Sequence, residues 1–191
     1  MVGILLAAGF SRRFGAADKL LHCLPDGCPI ALAAAKNLIK AIPLTIAVVR
    51  PENMELAELL QSAGLKVFFC SEQDIEMADS LSAAVRFSAN FSESSDGFVI
   101  ALADMPYVDP LTITAVASRL SAGDSIVVPT HHGQRGHPVG FSANFRHELE
   151  NLHGDEGARS ILKRYPNEIH MLECADAGIL ADIDLPTDLM R

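Results

Sequence analysis

Val2-Gly3-Ile4-Leu5-Leu6-Ala7-Ala8-Gly9-Phe10-Ser11-Arg12-Arg13-Phe14-Gly15, running on to Lys19, decides how the rest of the chain is read. Residues 2–7 are a short, unbroken apolar run, which suits a strand covered on both faces in the centre of a parallel sheet. The run breaks into a loop flanked by Gly9 and Gly15, where a missing Cβ permits positive φ and a close approach of backbone to ligand. Turning amides and a following helix end can hydrogen-bond anionic oxygens. Arg12, Arg13 and Lys19 then crowd three cations onto one loop of a chain whose net charge is -9. That concentration favours a bound phosphate over arginines that merely face water.

Two glycine-rich phosphate motifs do not fit these residues. A dinucleotide fingerprint needs G-x-G-x-x-G, and Ser11 stands where the second glycine belongs. A P-loop needs glycine, lysine and Ser/Thr in register, whereas Lys19 is followed by Leu20.

Further along, apolar runs at 44–49, 65–69, 98–101 and 125–128 read as strands. Helical patterns at 29–41, 51–63, 79–90 and 110–121 separate them, three opening on proline and the fourth offering Asp79 or Ser80 as a cap. The alternation predicts an α/β fold with an open, mostly parallel sheet. Ligands of such sheets sit at the carboxyl ends of the strands, so the 9–19 loop and Asp104 should converge on one crevice.

A chain of 191 residues with 49% hydrophobic content reads as one domain, residues 1–191, with a single buried core. Its acidity, with a sequence pI near 5.1, speaks against nucleic acid or an anionic membrane as partner. The apolar start has no basic residue before it and is too short for a signal peptide, and no run is long enough to span a bilayer. A cytoplasmic location is the expectation. Cys23, Cys28, Cys70 and Cys174 form no C-x-x-C pair and read as reduced structural thiols. His131 and His132, in a polar loop, receive no role.

Asp104 closes an apolar strand and precedes Met105-Pro106. A carboxylate there can hold Mg2+ together with water and triphosphate oxygens, or can cap a turn; the residues alone leave both open.

Five blocks in order resemble the MobA-like nucleotidyltransferases. They are the opening L-A-A-G-x-S-x-R loop, Leu102-Ala103-Asp104-Met105-Pro106-Tyr107-Val108, Gly136-His137-Pro138-Val139, Gly154-Asp155-Glu156-Gly157-Ala158-Arg159 and Asp182-Ile183-Asp184-Leu185-Pro186-Thr187-Asp188-Leu189. The nearest branch resembles the molybdenum cofactor cytidylyltransferases. The resemblance implies a three-layer α/β/α, Rossmann-like nucleotidyltransferase fold and transfer of a nucleotide from a nucleoside triphosphate to a pterin-phosphate acceptor. It implies that Leu6, Ala7, Ala8, Gly9, Ser11, Arg12 and Gly15 cradle the nucleotide. Arg13 would bind the β- and γ-phosphates, Lys19 would stabilise charge at the α-phosphate, and Asp104 with Asp184 would carry Mg2+. Ser80 and His137 would complete the ligand contacts. Ala8, where the guanylyl branch usually has glycine, favours CTP over GTP. A molybdoenzyme or its chaperone as a further partner is left open.

The chain also departs from the family pattern. Where relatives show G-M-S-x-S-L, it has Glu76-Met77-Ala78-Asp79-Ser80-Leu81, adding carboxylates beside an expected triphosphate. Leu185 replaces a threonine, and the Gly15 to Lys19 spacing is slightly long. His137 and Arg159 either reach the acceptor or close a strand turn and pair with Asp155. Asp182, Asp184 and Asp188 either belong to the site or cap a turn. A dinucleotide-dependent oxidoreductase and a nonenzymatic nucleotide or pterin binder remain as alternatives.

Overall fold

The structure is a computed structural model, and it describes residues 1–9, 18–71, 77–154, 157–185 and 187–188. In chain order the elements are β1 (Val2–Leu6), α1 (Ile30–Ala41), β2 (Thr45–Val49), α2 (Met54–Ser62), β3 (Lys66–Phe69), α3 (Met77–Phe87) and β4 (Phe98–Leu102). There follow α4 (Pro110–Ser121), β5 (Ile126–His131), β6 (Gln134–Arg135), β7 (Val139–Phe141), α5 (Arg146–Glu150), α6 (Arg159–Arg164) and β8 (Ile169–Glu173). The strands form one eight-stranded sheet in the order β3-β2-β1-β4-β7-β5-β6, with β8 paired to β5.

β1 is central, as its unbroken apolar run predicts. It pairs in parallel with β2, where Leu6 faces Val48, and with β4, where Leu6 faces Leu102. Alternate residues of each strand point to opposite faces, and each face is covered. Leu5, Ala47 and Val99 pack with α1, α2 and α4 through Leu38, Leu60 and Ile113. Ile4, Ile46, Phe98 and Ile100 pack with α3, α5 and α6 through Leu81, Leu149 and Ile161. Each such fully buried aliphatic side chain contributes about 1.5–3 kcal/mol. The result is the α/β/α, Rossmann-like architecture expected, with a mostly parallel sheet.

Local chemistry sets the helix starts. Asp109 caps α4, its Oδ1 accepting the Leu111 N–H at 2.8 Å with Pro110 at the first helical position. Pro29 stands one residue before α1. At α2 the expectation needs correcting: Pro51 lies outside the helix, and Asn53 caps it through the Leu56 N–H. Asp79 and Ser80 are not caps either, since α3 already begins at Met77.

The strand pattern missed β6, β7 and β8. β7 is three residues long and antiparallel to both β4 and β5. Its Gly140 carries no side chain because a Cβ there would sit 2.7 Å from Val116 Cγ1 of α4. Close helix packing thus removed the apolar residue that would have marked the strand. No helix among the described residues is long and apolar enough to cross a membrane.

Candidate active site

The carboxyl ends of β1 and β4 lie side by side, and the chain leaves both toward the same edge of the sheet. Beyond β1 the Ala7 N–H bonds to the Val48 carbonyl at 3.0 Å. Arg50, which follows β2, donates from Nε to the Ala8 carbonyl at 2.6 Å and fixes the start of the loop. Sequence reasoning passed over Arg50; a lone arginine directly after an apolar strand was its signal. Gly9 is exposed and does not have the positive φ expected of it, and a Cβ there would meet nothing within 4 Å among the described residues. Its missing side chain therefore does not serve a left-handed turn. Ser11, Arg12, Arg13 and Gly15 lie outside the described residues.

The chain is described again from Asp18, which caps a short 3-10 turn, Lys19–Leu21, by accepting the Leu20 N–H at 2.9 Å. The other Asp18 oxygen accepts from the Asn53 side-chain amide, so the cap of α2 also holds the turn that carries Lys19. That turn, not a regular helix, follows the loop. Lys19 points inward. Its Nζ is 2.9 Å from Asp104 Oδ2 and 3.3 Å from Asp184 Oδ1, and its side chain is 9% exposed. Burial alone would lower the Lys19 pKa. The hydrogen bonds and charges of Asp104 and Asp184 outweigh it and raise the pKa above the usual lysine value.

Asp104 follows β4 and is not a cap; that task falls to Asp109 five residues on. The Ile183 N–H bonds to the Asp104 carbonyl at 2.9 Å, which binds the C-terminal segment to the strand end and brings Asp184 to Lys19. The three aspartates of that segment divide the work. Asp188 accepts the N–H groups of Asp184 at 3.1 Å and Leu185 at 2.8 Å, so it closes the turn while Asp184 faces Lys19. Because Leu185 takes part through its backbone, the lost threonine hydroxyl is not needed for that turn.

Asp182 lines an adjoining cavity of about 580 Å³. Its walls are mostly apolar, with Leu6, Leu102 and Met105 from the strand ends and Met77 and Leu81 from α3. Arg135, His137, Arg159 and Lys163 supply its polar part. His137 is held by its backbone: its N–H bonds to the Ile179 carbonyl at 3.0 Å, and the peptide to Pro138 is cis. Gly136 before it cannot carry a side chain, since a Cβ would lie 2.4 Å from the Ile179 oxygen. His137 Nδ1 is buried with no hydrogen-bond partner among the described residues. Burial, helped by the charge of Arg159 and opposed by Asp104, pushes the His137 pKa down to about 4. The imidazole is therefore neutral at physiological pH, and which nitrogen carries the proton depends on what it meets.

The structure separates the remaining expected residues. Ser80 is buried within α3 and does not line the cavity, whereas Met77 and Leu81 of the same helix do. Ala78, where relatives carry serine, is fully buried in the core. The Asp79 carboxylate is 3.9 Å from His153 Nδ1, so at least one of the added acids has a neighbour of its own. Glu76 and Asp155 lie outside the described residues. His131 Nδ1 meets the Cys174 carbonyl at 3.0 Å, an end-of-strand contact.

Two carboxylates and an ammonium from segments 85 and 165 residues apart in sequence thus meet at one point. Among the described residues there is no cluster of three or more metal-ligating side chains. A pair of carboxylates is nevertheless the usual protein share of a Mg2+ site, whose other positions go to water and substrate phosphates.

Comparison with known proteins agrees with the fold. A family model described as the MobA-like NTP transferase domain matches residues 3–169. Purine catabolism protein PucB of Bacillus subtilis (strain 168) is 30% identical over 98% of this chain and 93% of its own length. The crystal structure of Rv0371c from Mycobacterium tuberculosis H37Rv superposes with a TM-score of 0.79 at 26% identity, covering 100% of this chain and 96% of the other. A nucleotidyl transferase from a Methanothermobacter species shares the fold, with a TM-score of 0.82 at 21% identity over 100% and 94% of the two chains.

Proposed function

The chain belongs to the MobA-like NTP transferase family, and from that premise we propose that this nucleotidyltransferase moves CMP from CTP to a pterin-phosphate acceptor, molybdopterin or the molybdenum cofactor. The observation that carries the reading is the convergence of Lys19, Asp104 and Asp184 at the ends of β1 and β4, beside a cavity of about 580 Å³.

In this reaction an acceptor phosphate oxygen attacks the α-phosphorus, a new P–O bond forms, and the bond to the bridging oxygen breaks with pyrophosphate taking its electron pair. A phosphate monoester is already largely ionised at neutral pH, so no side chain has to remove a proton. The protein's work is positioning and charge neutralisation. Lys19 supplies a buried cation for the α-phosphate. Asp104 and Asp184 are the residues that would hold Mg2+, a reading supported by their convergence on one ammonium. When bound, that ion neutralises charge on the triphosphate and on the departing pyrophosphate. By resemblance Arg13 and the loop amides take the β- and γ-phosphates.

The cavity suits the acceptor. Its apolar walls favour a flat ring system, while Arg159 and Arg135 offer charge to an anionic group. The choice of CTP rests on Ala8. The Bacillus subtilis relative is named for purine catabolism, which bears on metabolic setting and selects neither base nor acceptor.

Calorimetric titration with CTP and with GTP, each with Mg2+, tests the reading. Tighter binding of CTP is expected, with Ala8→Gly narrowing the preference. A GTP preference in the unmodified chain would overturn the base assignment and leave the chemistry standing. Absence of nucleotide binding, with or without a pterin phosphate, would overturn the function.

A further inference from the structure

Both carboxylates assigned above to the divalent cation are held by the same ammonium. Lys19 Nζ is 2.9 Å from Asp104 Oδ2 and 3.3 Å from Asp184 Oδ1. The backbones that carry the three groups are held in place: the Ile183 N–H to Asp104 carbonyl bond ties the carboxylate-bearing segments together. Asp18, braced by Asn53, fixes the turn that carries Lys19. A carboxylate oxygen bonded to an ammonium offers less to a cation, and a dication brought beside that ammonium is repelled by it.

We propose that Lys19 and the divalent cation compete for Asp104 and Asp184, and that the triphosphate settles the competition by drawing the Lys19 ammonium onto its own oxygens. The metal then enters with the nucleotide and binds weakly without it. The proposal rests on the reading of Asp104 and Asp184 as the metal-holding pair. Lysine suits the role, since its charge sits on a flexible four-carbon stem with three donors and can exchange one set of oxygens for another while its backbone stays capped. Triphosphate oxygens can replace both carboxylates as partners. By thermodynamic reciprocity, the factor by which nucleotide tightens metal binding is the factor by which metal tightens nucleotide binding.

The test measures Mn2+ binding directly, from the paramagnetic resonance signal of free Mn2+ in titrations of the full chain without nucleotide. Removing the ammonium should release the site: Lys19→Met is expected to bind Mn2+ about 10-fold more tightly than the unmodified chain, within the usual range of couplings between sites. Lys19→Arg, which keeps the charge, should stay near the unmodified value. Asp184→Asn placed on Lys19→Met should abolish the gain, identifying the site as this one. Circular dichroism melting checks that each variant is folded, and Lys19→Gln, which keeps polarity without charge, replaces the methionine variant if that one is not. Equal Mn2+ affinity in the folded lysine variants and the unmodified chain would overturn the competition. Two further outcomes are distinct: if Asp184→Asn on Lys19→Met keeps the Mn2+ gain, the metal-holding pair itself is overturned, and if Mn2+ leaves CTP affinity unchanged in the unmodified chain, the coupling is overturned.

Discussion

The two halves of the site are assembled by opposite physics. At the strand ends, charged side chains from residues 19, 104 and 184 are delivered by backbone clamps, namely the Asp18 cap, the Ile183 to Asp104 bond and the Asp188 turn. In the adjoining cavity the walls are mostly apolar side chains, and one of the polar residues among them, His137, has an enclosed ring nitrogen with no hydrogen-bond partner among the described residues. The first half pairs its charged groups with one another, one ammonium against two carboxylates. The second leaves a hydrogen-bonding atom unsatisfied among the described residues, which costs stability and is tolerated where a ligand or a structural constraint demands it. The contrast fits a division of labour in which the clamps serve phosphate chemistry and the cavity serves recognition.

The sharpest way to break that division is Asp104→Asn, which keeps the shape and removes the charge. Pyrophosphate release is expected to fall by roughly 100- to 1,000-fold, as for loss of one group that stabilises transition-state charge, with the circular dichroism spectrum unchanged. Near-normal turnover would make the cluster a structural ion pair. A smaller effect is expected in the cavity. Arg159→Ala should raise the acceptor KM about 10-fold, the worth of one charge-assisted hydrogen bond, and leave the KM for CTP as it was. An equal rise in both would show that the halves are not separate.

The smallest effect concerns His137 and pH. Its pKa is about 4 in the folded protein against a usual 6.5, so between those values the unfolded chain binds the additional proton. Stability should therefore fall as pH drops from about 6.5 toward 4. His137→Asn should flatten that part of the melting-temperature profile. An unchanged slope would show that His137 is not enclosed in solution as it is in the structure.

Much of the sheet was legible because a strand buried on both faces must be continuously apolar, and residues 2–6, 46–49 and 98–102 are. The α4 start was legible from Pro110, since proline's fixed φ suits the first turn. Asp104 and Lys19 stood out through their place after apolar runs and in the order of the family blocks. The Arg50 bond to Ala8, the buried position of Ser80 and the walls of the cavity were not legible. Each depends on which way a side chain turns once helices and strands have packed. β7 escaped notice for a related reason: α4 packs where the Gly140 side chain would be.

What the sequence by itself determined is local. Apolar periodicity, caps and glycine-bearing loops are written in neighbouring residues, and the order of the blocks identifies the family. Only the tertiary structure decided that one ammonium would face two carboxylates, one 85 and the other 165 residues away, and that Asp188 would close the turn that leaves Asp184 facing it. Such meetings are set by strand order and by backbone bonds between distant segments, and neither is encoded in the residues on either side of Lys19.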